Sequence, residues 1–210
     1  MRMNESFKER VCKVAIENAP LYKSTLIDYE YCIFSSGLST KYVITKALDS
    51  NYLHLVGVNT NLSADAFFKK CLNKTLTIND FDFLKRGVAS GILKGAVRDK
   101  IRVLGKMVNL LNSSDLKIQE NFNHNKIHCA FASASNDCTL GYATSGYPKS
   151  LLRGNYLDDT SLDIDLIVRR QSGSSDLFSE IVRGSIDNIE SYSVVASNLI
   201  SAELFKKPNL

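Results

Sequence analysis

Between Gly91 and Leu111 the chain carries two parallel stripes of opposite character, and this segment limits the fold more than any other. Leu93, Val97, Ile101, Leu104, Val108 and Leu111 recur at three- and four-residue intervals, the period of an α-helix. At about 100° per residue they cover an arc of roughly 80°. Lys94, Arg98, Arg102 and Lys106, each four apart, fill the adjacent arc of roughly 120°. The spacing predicts a helix that packs by one edge and presents cations along the other. Such a stripe suits phosphates, whose charge dominates affinity for nucleic acid. The plainer alternative is that long cationic stems cover the margin of the apolar stripe and leave their heads in water.

The other residues have to bury that apolar edge. With 210 residues, 44% hydrophobic and 23% charged, the chain has the composition of a globular protein and not of a disordered one. Its length suits a single α+β domain over residues 1–210, with 1–40 as an N-terminal embellishment. The net charge of +4 is too small to imply nucleic acid by itself. Its distribution says more: from Asn61 to Asn112 there are ten Lys or Arg against four Asp, so the positive charge sits mid-chain. The five cysteines are scattered, odd in number and without a CxxC pair, which points to a reducing cytoplasmic setting. There is no signal-peptide core and no membrane-spanning apolar run, so no membrane partner is expected.

Around the central helix the patterning predicts N-terminal and central helices packed on a small antiparallel β-sheet, with a C-terminal helix. Met3–Ala19 reads as a helix ended by Pro20, since proline disfavours helical geometry in the residue before it. Strands are expected over 28–34, 42–48 and 52–58, the last two joined through Asp49-Ser50-Asn51. Ser63 opens a further helix as its N-cap. Beyond Asn112-Ser113-Ser114 the chain turns β-rich: 126–133, 138–144, an alternating 162–168 and a shorter 178–182. Tyr147–Leu152 reads as a loop or the start of a strand, and Ile186–Phe205 as the closing helix.

Two stretches carry residues able to do chemistry. In Tyr52–Val58, period-two alternation puts His54 on one face with Tyr52, Val56 and Val58. There it is either an acid or base near neutral pH, or a partly buried histidine satisfied by one carbonyl. In Tyr147–Arg153 a phenol, an amine, a hydroxyl and a guanidinium gather around Pro148. Together they could grip a phosphate and stabilise charge developing on it, or simply form an edge turn. His124, His128, Cys129 and Cys138 are zinc-ligand types, but on a strand the two imidazoles diverge and no carboxylate completes the set, so no metal site is expected. Asp163 and Asp165 alternate as the wet face of a strand does. No phosphate-cradling glycine loop, nucleophile elbow or dinucleotide fingerprint occurs, and no cofactor is expected.

The Tyr52-x-His54-Leu55-x-Gly57 pattern, the LSADAFFKKCLN segment after it, the Ile78-Asn79-Asp80-Phe81-Asp82-Phe83 run, and Gly141-Tyr142 with Tyr147-Pro148-x-Ser150-Leu151 form a set. Over roughly Lys41–Leu152 this set resembles the phage- and mobile-element-associated branch of the barnase/EndoU/colicin/RelE-like nucleases. The resemblance implies helices followed by a small antiparallel sheet with the active site on its concave face. It also implies metal-independent cleavage of RNA, in which a base activates the ribose 2′-hydroxyl against its own phosphate. Carried onto this chain, it makes His54 the base or acid. Lys149 and Ser150 would hold the scissile phosphate, supported by Tyr147 and Arg153, with Lys94, Arg98, Arg102 and Lys106 along the nucleic acid. RNA is then the expected partner, and a protein inhibitor or a second copy of the chain are the other partners this reading allows. The competing expectation is a non-catalytic module that holds nucleic acid or protein with the basic helix 91–111.

Overall fold

The computed structural model describes residues 5–187 and 198–205. Among these residues there are four α-helices: α1 (Phe7–Tyr22), α2 (Asn51–Val56), α3 (Ala64–Leu72) and α4 (Ser90–Met107). Two antiparallel sheets accompany them. One has the order β11-β10-β1-β2, built from β1 (Tyr29–Phe34), β2 (Tyr42–Thr45), β10 (Leu166–Gln171) and β11 (Glu180–Gly184). The other has the order β8-β7-β6-β3-β9, from β3 (Lys117–Glu120), β6 (Phe131–Ala134), β7 (Cys138–Tyr142), β8 (Pro148–Arg153) and β9 (Leu162–Asp163). A small hairpin, β4 (Asn123–His124) with β5 (Ile127–His128), interrupts the run from β3 to β6. The class is α+β, as the patterning implies. Among the described residues no helix is long and apolar enough to cross a membrane.

The helix α4 forms where its stripes place it. It buries Val97, Ile101, Val103, Leu104 and Met107, and it rests on α1, α2, β7 and β8. The crossing with α1 is close at Gly105, where an added Cβ would stand 2.8 Å from Asn18 Oδ1. Below it, one apolar cluster runs from Val11, Ala15, Ala19 and Tyr22 of α1 through Phe67 and Phe68 of α3 to Ile118, Leu140 and Leu151 of the second sheet. Residues before Lys41 are part of this core, and β1 is an inner strand of its sheet.

The largest departure from expectation concerns 52–58, which is helical and not a strand. Tyr52, Leu55 and Val56 stand at i, i+3 and i+4 and are buried together, whereas His54 is exposed. Tertiary aromatic packing decides between the two periods in so short a segment. The Tyr52 ring lies 4.9 Å from Tyr22 and 5.2 Å from Phe68, and its hydroxyl donates to Ala15 O at 2.7 Å. Gly57 then ends α2 in the left-handed region (φ 84°).

Other boundaries also move. Helix α1 continues through Pro20 to Tyr22 and passes into a π turn over Lys23–Ile27, because Ala19 and Tyr22 are buried and the lost N–H falls near the helix end. Its start uses a Ser6/Glu9 capping box, and Met3 lies outside the described residues. The stretch 126–133 divides into β5 and β6, and 162–168 into β9 and β10, whose Leu166, Ile167 and Val168 are buried on both faces. Pro148 opens β8, which is an edge strand, where a missing donor costs no ladder bond. Of the expected helix over Ile186–Phe205, residues 188–197 lie outside the described residues; Ile200 bridges to Phe178, and Ala202–Phe205 forms a 3-10 turn. The two sheets meet at Gly146, whose carbonyl accepts from Thr45 Oγ1 at 2.9 Å and whose φ of 79° leaves no room for a side chain beside Ile44 O.

Two glycine substitutions test this reading of α2 and α4. Gly57→Ala places a Cβ in the left-handed region and 2.8 Å from Lys100 Cδ, and should destabilise by about 1–2 kcal/mol. Gly95→Ala, inside α4 with nothing within 4 Å, should stabilise by about 0.5–1 kcal/mol. Denaturant midpoints check both; equal effects would contradict the assignment of α2.

Candidate functional site

The rotation of α4 sorts its cations. Each step of four residues advances about 40° around the helix, so Lys94 and Lys106 point about 120° apart. Lys94 Nζ lies over the Phe83 ring at 5.9 Å and Arg98 Cζ over Phe7 at 5.3 Å, so each charged head faces an aromatic ring. Arg102 and Lys106 turn instead toward the ends of β7 and β8. There they line a cleft of about 670 Å³ together with Arg153 of β8, and Asp99, Asp137 and Tyr156 complete its polar wall.

Charge in this cleft is arranged in pairs. Asp99 Oδ1 stands 3.4 Å from Arg153 Nη1 and 3.7 Å from Arg102 Nη1, and Lys106 Nζ pairs with Asp137 Oδ1. Three cations therefore face two carboxylates. All five side chains are about half exposed, the range in which an ion pair contributes about 0–1 kcal/mol, so an entering phosphate can exchange for a carboxylate partner at little cost. A phosphate and a guanidinium also match in geometry, since the planar fork donates two parallel hydrogen bonds.

His54 does not line this cleft; its contacts lie on another side of α4. Its helix, α2, packs against both α4 and β8. The His54 carbonyl accepts a hydrogen bond from Lys100 Nζ, whose stem crosses the face of Gly57. The imidazole is exposed and takes no hydrogen bond among the described residues.

Lys100 was not singled out from the sequence, although a signal was there. It falls about 60° from Val97, between the positions of Leu104 and Met107, inside the arc that α4 buries. A lysine within an apolar arc is held there for a reason. Here it caps the carboxyl end of α2. Burial, with Lys85 as a nearby like charge, pushes its ammonium down to about 8.

The YPKSLLR residues do not converge on one point. Arg153 enters the cleft. Lys149, at a bulge where the β7–β8 register shifts, donates to His128 O at 2.9 Å. Ser150 pairs with Gly141 across the ladder and is half-buried on the side of Cys129. Tyr147 carries Lys46 Nζ over its ring at 5.4 Å, next to the first sheet. The remaining histidines lie on the facing strands of the small hairpin. His124 pairs with the Asn125 side chain at 2.8 Å and His128 with Asn123 Oδ1 at 2.5 Å. Cys129 and Cys138 are buried in separate clusters. All five cysteines are free and buried, and burial pushes every thiol up. Among the described residues no three His, Cys, Asp or Glu side chains gather as a metal-binding group.

The family model of phage-Barnase-EndoU-ColicinE5/D-RelE like nuclease 4 matches residues 16–153. The match contains α2, α3 and α4, the strands β3, β6, β7 and β8, and every cleft cation, and it ends at Arg153. No curated protein and no solved structure matches the chain.

The Lys100 environment sets a pH dependence with a definite sign. Its pKa is about 8 in the fold against 10.5 in the open chain, so between those values the unfolded state binds more protons and rising pH favours folding. The buried thiols act oppositely above a pH of about 9, which is why a difference measurement is needed. Lys100→Met keeps the stem and removes the charge. Its stability relative to the wild type should fall by an amount on the order of 2 kcal/mol between pH 7 and 10. Parallel stability curves across that range would show that Lys100 is not held in a desolvated site.

Proposed function

Because the chain belongs to the phage-Barnase-EndoU-ColicinE5/D-RelE like nuclease 4 family, we propose that it is a metal-independent endoribonuclease whose scissile phosphate sits in the cleft between α4 and β8. The observation that carries this reading is the meeting of Arg102, Lys106 and Arg153 from two separate elements in one cleft of about 670 Å³. The reaction needs no more than a base, an acid and fixed cations. A base removes the proton of a ribose 2′-hydroxyl, and the oxygen attacks the adjacent phosphorus. The bond to the 5′-oxygen then breaks as an acid supplies that oxygen's proton. A 2′,3′-cyclic phosphate and a 5′-hydroxyl result. Arg153 and Arg102 stabilise the charge on the phosphorane, which exceeds that of the starting diester.

His54 is the proposed acid or base on the family resemblance alone, since α2 holds it beside Lys100 and not in the cleft lining. Asp99, held by both guanidinium groups, is the carboxylate that stands beside the phosphate and is the second group suited to proton transfer. Arg153 takes the phosphate-holding role in place of Lys149 and Ser150, since Lys149 is committed to the hairpin carbonyl. Tyr147 then supports the junction with the first sheet and not the reacting atoms.

One observation favours a second reading. Among the described residues no histidine lines the cleft, as expected of a non-catalytic module that uses α4 to hold nucleic acid. Incubating purified protein with single-stranded and structured RNA, with and without EDTA, separates the two. Cleavage should survive EDTA and leave cyclic phosphate ends. His54→Ala should lower the rate by about 10²–10⁴-fold and Arg153→Ala by about 10²–10³-fold. Salt-sensitive binding without cleavage would establish the module instead, and cleavage that EDTA abolishes would remove the proposed mechanism.

A further inference from the structure

Beside the three cations, the cleft has an aromatic wall that the phosphate chemistry leaves unused. Tyr156 lines it and is 43% exposed, which is high for so large a ring. Residue 156 lies just past the matched residues, 16–153. Among the described residues the Tyr156 hydroxyl has no hydrogen-bond partner, so the ring is not placed there to satisfy its polar end. What fixes it is backbone and a neighbouring ring. The Tyr156 amide donates to Thr139 Oγ1 at 3.0 Å, and the Thr139 hydroxyl donates to Gly154 O at 2.8 Å. The His124 ring of the small hairpin lies against it, centroid to centroid 4.1 Å and tilted by 47°.

From this arrangement we infer that Tyr156, flanked by His124, is a stacking platform for one unpaired base of a single-stranded RNA whose phosphate occupies the adjacent cations. The inference rests on the proposed nuclease reading of the cleft and adds to it the form of the substrate. A base in a duplex is already stacked on both faces, whereas an unpaired one gains a face by lying on an aromatic ring. Every base has such a face, so the platform selects for single-strandedness and tolerates sequence. Its rigidity matters because a ring already held in place loses little freedom on binding.

The sequence contains no tryptophan, so Tyr156→Trp supplies a unique fluorophore at the platform. The probe is a single-stranded 2′-O-methyl RNA decamer, which offers no free 2′-hydroxyl for attack, beside an abasic decamer of equal length. The base-containing decamer should quench the introduced indole and the abasic one should not. Tyr156→Ala should weaken binding of the base-containing decamer about tenfold, with the abasic affinity unchanged and Tyr156→Phe within about twofold of the wild type. If both decamers bind equally and Arg153→Ala weakens both, the phosphate cleft stands and the platform is overturned. If Tyr156→Ala weakens the abasic decamer as much, the ring is structural and the inference fails. If neither decamer binds, the cleft reading and the platform fall together.

Discussion

Burial of one edge of α4 is the constraint on which the candidate site depends. Val97, Ile101, Val103, Leu104 and Met107 leave water together, each contributing about 1.5–3 kcal/mol relative to exposure. Turning the helix by a single residue would bring a charged side chain into their place and expose part of that set. The rotation is therefore fixed, and with it the direction of every cation. Lys94 and Arg98 fall over Phe83 and Phe7, Lys100 enters the buried arc and caps α2, and Arg102 and Lys106 meet Arg153. A stripe that is uniform in sequence divides between two environments.

The cleft is balanced more finely than a plain basic patch. Three cations against two carboxylates leave an excess of one positive charge, and the pairs are exposed enough to be exchanged. Such an arrangement holds the guanidinium groups in place without a ligand, which is what stabilisation of a transient charge requires. It also keeps carboxylates where proton transfer would occur. A patch built only for affinity would do better without Asp99 and Asp137.

How much of this could be read from the chain depends on distance along it. Helix α4 was legible because its two stripes run for about five turns, longer than chance patterning sustains. The class of the fold followed from the helices and the alternating segments after Asn112. In Tyr52–Val58, by contrast, Tyr52, His54, Val56 and Tyr52, Leu55, Val56 satisfy two periods at once. The decision belongs to Tyr22 and Phe68, which are distant in sequence. Pro20 misled because burial of its neighbours outweighs one missing donor near a helix end. The cleft was half legible: its three cations were singled out, but Arg153 and Asp99 are 54 residues apart and no spacing announces their pairing. Lys100 could have been found as a lysine inside an apolar arc. Tyr156 had no signal of its own, because its placement follows from backbone bonds to Thr139 and from a hairpin whose strands are two residues long.

On the proposed function, phosphates bind where α4 meets β8, and not along the whole basic face. That placement is tested most directly by the salt dependence of binding to a single-stranded 2′-O-methyl RNA. Each phosphate contact adds about 0.7 to the slope of log affinity against log salt. Arg102→Ala, Lys106→Ala and Arg153→Ala combined should lower that slope by about 2. Lys94→Ala with Arg98→Ala should leave it unchanged. A slope that falls for the second pair and holds for the first three would contradict that placement.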